Sequence, residues 1–164
     1  MYEKTVPAPA KARRDRALTI AVAAAAVVML VILVPAVLSL RLMYRYHSFT
    51  QDLAASFVYG EKNGTLTLAD DGGESAVPEN KAGLLFASIM NTGLGHPRSG
   101  GLPEEGLTLR FGEGSTLQIW PVEITAKDRL RDEGVRFLYT RADGSSFGYD
   151  TDRLSYEDVL AYLK

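Results

Sequence analysis

The chain has 164 residues, of which 46% are hydrophobic and 23% charged, and a formal net charge of −2; that is room for one ordinary domain and a modest extra segment. Charge is unevenly spread: residues 1–46 hold seven Lys/Arg against Glu3 and Asp15, whereas residues 47–164 hold eleven against eighteen acids. An acidic body excludes nucleic acid as its partner, since phosphate binding needs Lys/Arg gathered on one face, and the lack of any Cys excludes disulfides, thiolate metal sites and thiol nucleophiles.

From Ala17 to Leu40 the only polar side chains are Thr19 and Ser39, and none is charged. A helix of that length reaches about 36 Å, against roughly 30 Å of bilayer hydrocarbon. The pattern therefore predicts a transmembrane helix over 17–40, with the lipid bilayer as a partner. It is too long for the apolar core of a cleaved signal peptide. Lys4, Lys11, Arg13, Arg14 and Arg16 precede the run, and only Arg41 and Arg45 follow closely. That bias predicts a cytoplasmic N-terminus and an outer C-terminal domain at the cell membrane. Residues 1–16 are expected to form a short basic tail without fixed structure. Arg41, Tyr44, Arg45 and Tyr46 are placed as membrane-interface anchors.

Residues 41–56 keep a helical period and are expected to form a juxtamembrane stalk, leaving 57–164 as the outer domain. There Phe57-Val58-Tyr59 and Thr65–Leu68 flank Asn63-Gly64, a two-residue hairpin signal that would set Tyr59 opposite Leu68. Two further hairpins follow. A three-residue Gly112-Glu113-Gly114 loop pairs Leu109 with Leu117 and Leu107 with Ile119; an Ala142-Asp143-Gly144 loop pairs Tyr139 with Phe147 and Phe137 with Tyr149.

An amphipathic helix is expected over 80–91. A second is expected at the C-terminus, where Ser155 and Asp158 are spaced as a capping box and Leu154 and Val159 as a hydrophobic staple. The fold class is thus α+β: a transmembrane helix, then a two-layer domain with two helices on one face of an antiparallel sheet. Its order is two strands, helix, four strands, helix.

Chemistry is sparse. The two histidines are His47, in the stalk, and His96, in the Gly-rich stretch 93–101. No serine stands in a Gly-x-Ser-x-Gly or Ser-x-x-Lys setting, and the glycines do not form a phosphate-binding loop. Acidic clusters such as Asp70-Asp71-Gly72-Gly73-Glu74 read as turns, not metal sites. No catalytic residue, metal or cofactor is expected. The residues singled out for a partner are His96 and Arg98, in a loop able to meet an anionic ligand, and Trp120, an aromatic anchor beside Pro121. The expected function is a membrane-anchored, non-catalytic binding or sensing domain with a protein partner. The alternative is an accessory subunit packing through Ala21 and Ala23–Ala26; a pilin-like subunit is disfavoured because the helix has no acidic residue near its start.

Overall fold

The computed structural model describes residues 10–163 apart from 71, 99, 100, 102 and 104. The first element, α1 (Ala10–Asn63), is a single helix with Pro35 inside it. It begins within the segment expected to lack structure; the rest of that tail, residues 1–9, lies outside the described residues. The chain divides into two compact units with the boundary after Leu42.

In the first unit every large apolar side chain from Leu18 to Leu42 is at least 36% exposed. The span has a mean hydropathy of 3.0 in its most apolar stretch, none of it buried in protein. The core helix of a soluble protein would bury one face. This helix is long and apolar enough to cross a membrane.

In the second unit the helical period continues further than expected. Phe49, Leu53 and Phe57 recur four residues apart and are buried, while Val58 and Tyr59 are exposed. The stretch expected to be the first strand of a hairpin is therefore the last turns of α1. Asn63-Gly64 caps that helix. Gly64 has φ +63° while Asn63 stays at negative φ. The Gly64 N–H bonds to the Glu61 carbonyl and the Thr65 N–H to the Gly60 carbonyl, the paired bonds of a Schellman cap. A type I′ turn would need both central residues at positive φ. The first hairpin lies later, between β1 (Thr67–Asp70) and β2 (Gly73–Ala76), and Leu68 sits opposite Ser75 and Leu109 instead of Tyr59. Its turn is built on Asp70, whose carboxylate accepts the Gly72 N–H at 2.8 Å.

After α2 (Glu79–Asn91) come β3 (His96–Pro97), β4 (Leu107–Arg110), β5 (Thr116–Glu123), β6 (Glu133–Thr140), β7 (Ser146–Thr151) and α3 (Tyr156–Leu163). The strands form one antiparallel sheet in the order β2-β1-β4-β5-β6-β7-β3. The short β3, unforeseen in the expected order, edges β7.

Both later hairpins have the expected register and three-residue loops, with Gly114 and Gly144 at φ +95° and +83°. Register then aligns side chains in rows. Leu68, Leu109, Leu117, Tyr139 and Phe147 cross five strands on the inner face, and Leu107, Ile119, Phe137 and Tyr149 form the next row. These rows share one core with Phe49, Leu53 and Phe57 of α1, Ala82, Leu85 and Ile89 of α2, and Val159 and Leu163 of α3. Three helical segments, not two, thus cover the inner face. A second stripe of α1 makes polar contacts to the hairpins. Asp52 accepts from Arg141, and Ser56 is hydrogen-bonded to Ser115 and Tyr139 at 3.0 and 2.8 Å.

Candidate functional site

Side chains alternate across a strand, so the residues between the apolar rows face the other side of the sheet. There the register lines up Trp120 on β5, Arg136 on β6, Asp150 on β7 and His96 on β3. A polar outer face would ordinarily be wet. This row is covered: Trp120 is 6% exposed, and Arg136 and Asp150 are each 2% exposed.

The centre of the row is a fork. Arg136 Nε donates to Asp150 Oδ1 at 2.7 Å and its Nη2 donates to Oδ2 at 2.8 Å. This two-point geometry suits a planar guanidinium to a carboxylate. Nη1 donates to the Gly101 carbonyl, which ties Gly101 to the sheet. Two glycines make the close packing possible. A Cβ at Gly95 would lie 2.1 Å from the Asp150 carbonyl oxygen, and one at Gly106 would lie 2.3 Å from the Trp120 ring.

At the end of the row His96 lies between two carboxylates. Its Nδ1 is 3.7 Å from Asp128 Oδ1, and its Nε2 is 3.8 Å from Asp152 Oδ1. Asp128 belongs to the connection between β5 and β6, and Asp152 directly follows β7. Asp152 also accepts the Leu130 N–H. Burial pushes the Asp152 carboxyl upward, but backbone N–H groups, led by that of Leu130, and the neighbouring His96 outweigh it and hold the group below the usual carboxylate range. Two recesses meet at His96. One, of 370 Å³, is lined by Pro97, Ile124, Thr125 and Asp150; the other, of 220 Å³, by Leu94, Leu130, Thr151 and Arg153. The larger is within the range of small-ligand sites. Among the described residues no three His, Asp or Glu side chains are grouped as metal ligands would be.

Of the residues singled out in the sequence, the fold brings His96 and Trp120 into one row, while Arg98 is exposed just beyond β3. Trp120 lies in an inner strand of the sheet. Pro121 follows it where β5 has run past the end of β4, so its missing N–H leaves no ladder bond unmade on that side. Arg41 and Tyr44 are exposed. Arg45 donates to the Ser146 carbonyl at 3.1 Å and lies 5.3 Å over the Phe147 ring. Tyr46 is half-buried against Phe49, Phe147 and Tyr149.

In the sequence Arg136, Asp150, Asp128 and Asp152 are given no site role, although Asp150 and Asp152 stand with Asp143 among the acidic clusters read there as turn residues. For the first two a signal exists: the pairing of Phe137 with Tyr149 puts Arg136 directly opposite Asp150, an opposite-charge cross-strand pair. No family model, curated protein or solved structure matches this chain.

Proposed function

We propose that the chain is a single-pass membrane protein with a cytoplasmic N-terminus, whose outer domain is a non-catalytic module that binds or senses a protein partner at the cell surface. The observation that carries this reading is the helix up to Leu42, apolar and exposed on every side. Water is a poor solvent for such a surface and hydrocarbon a good one. The excess of Lys/Arg before the span supports the orientation.

The recesses beside His96, with Arg98 exposed nearby, are the surface proposed to meet the partner.

The test is protease added to intact cells, following a C-terminal tag and the mass of the membrane-bound protein. Loss of the tag from full-length, membrane-bound protein is expected. A protected tag would place the acidic domain in the cytoplasm and overturn the surface-binding reading.

A second reading, an accessory subunit held by helix packing, is favoured by a shallow groove on α1 lined by Leu18, Thr19, Val22, Ala23 and Ala26. If Ala23→Leu and Ala26→Leu change neither the size of the detergent-extracted particle nor its abundance, that reading fails.

A further inference from the structure

The carboxylates beside His96 come from two different segments, one on each ring nitrogen. A neutral imidazole has one N–H and one lone pair, so it can attract only one of them while its lone pair faces the other. An imidazolium presents an N–H to both. Two further charged groups lie near the ring. Asp150, its cross-strand neighbour, is neutralised by the Arg136 fork. Arg153 lines the smaller recess together with Asp128 and Asp152, so two carboxylates face one guanidinium there. The ring is 21% exposed, which leaves it open to protons from solvent.

We propose that His96 is a pH-operated clamp: its protonation bridges Asp128 to Asp152 and fastens the 125–129 part of the connection before β6 onto the end of β7, and its deprotonation lets that part move. The lining of the two recesses that meet at His96 is then held in place at lower pH and free to shift at higher pH, so the shape offered to a partner follows the acidity outside the domain. Asp128 is the mobile half of the clamp, with a side chain 85% exposed, whereas Asp152 is 5% exposed and keeps the Leu130 N–H in either charge state of His96, so the clamp acts on the part of the connection around Asp128. The inference does not depend on which side of the membrane the domain occupies, so it stands or falls apart from the topology.

The experiment is amide hydrogen exchange on the full chain in lipid nanodiscs at about pH 5.5 and about pH 8, where histidine changes charge. Each rate is divided by the intrinsic chemical rate at that pH. The peptide covering 125–129 is compared with one from the β4–β5 hairpin. Protection of 125–129 is expected to be about threefold greater at the lower pH, the scale of one or two partly exposed ion pairs, with no change in the hairpin. His96→Gln should abolish the difference, and Asp128→Asn, at an exposed position that leaves the core intact, should reduce it. Equal protection at both pH values in the unaltered protein would overturn the clamp. So would a pH difference that survives in either variant unchanged.

Discussion

The two faces of the sheet are both covered, by opposite means. The inner face carries unbroken apolar rows under three helical segments, and its contacts are many and non-directional. The outer face carries Trp120, Arg136, Asp150 and His96 in one row, closed by a few directed bonds and by Gly101 and Gly106 packed against it. An apolar face tolerates a change of shape better than a change of volume. A buried ion pair tolerates joint removal better than the loss of one partner, because the desolvated charge left behind has nothing to offset it.

The largest expected effects test that contrast directly. Phe137→Ala, at a fully buried inner position, should lower unfolding stability by about 3–5 kcal/mol through lost transfer energy and the cavity left behind. On the other face Asp150→Asn should cost about as much, roughly 3–5 kcal/mol, by removing the carboxylate charge that the buried Arg136 guanidinium meets at two points. The fluorescence of Trp120, the sole tryptophan and a member of the same row, reports both in denaturant titrations. The double replacement Arg136→Met with Asp150→Leu sharpens the comparison, since it should recover most of the loss in Asp150→Asn. A double variant no more stable than the single one would show that the pair is needed for more than mutual neutralisation.

A smaller effect is expected at α3. The Asp158 N–H donates to Ser155 Oγ at 3.1 Å, and the Ser155 N–H donates to the Asp158 carboxylate at 3.3 Å. Ser155→Ala should cost about 1 kcal/mol. The Ser155 side chain and backbone hold the Asp158 carboxyl below its ordinary value. A depressed carboxyl contributes stability that is complete above the unfolded value of about 4 and is lost as pH falls through the lower folded value. Stability measured against pH should therefore fall less steeply in acid for Ser155→Ala than for the unaltered protein. An identical acid limb would sever Asp158 from the cap. The smallest effect belongs to the surface pair Arg110–Glu74, 3.4 Å apart with both side chains about half-exposed. Glu74→Gln should shift stability by no more than about 0.5 kcal/mol, and less in added salt.

Local patterns foretold much of the inner face. Alternation fixed which residues of β4–β7 share a side, and the Gly114 and Gly144 loops fixed the register, because a slip of one residue would turn each apolar row outward. The capping box of α3 was equally readable. Asn63-Gly64 misled, since the same dipeptide suits a tight hairpin and a helix end. The choice was made by Phe57, whose contacts with Phe86 and Phe111 exist only if the helix continues. As for the candidate site, His96 and Trp120 were singled out in the chain, but the groups that give His96 its setting were not. Asp128 and Asp152 lie far along the chain, and no spacing rule brings them to opposite sides of one ring.

The sequence by itself determined the apolar helix, the strands from Leu107 onward, their register and the cap of α3, because each depends on neighbours a few residues apart or joined by one tight turn. Only the tertiary structure decided that α1 runs on into the core, that Gly101 meets Arg136 on the outer face, and that His96 stands between two carboxylates. Those outcomes depend on contacts between distant segments, whose free energy is absent from any local pattern and exists only once the sheet has assembled.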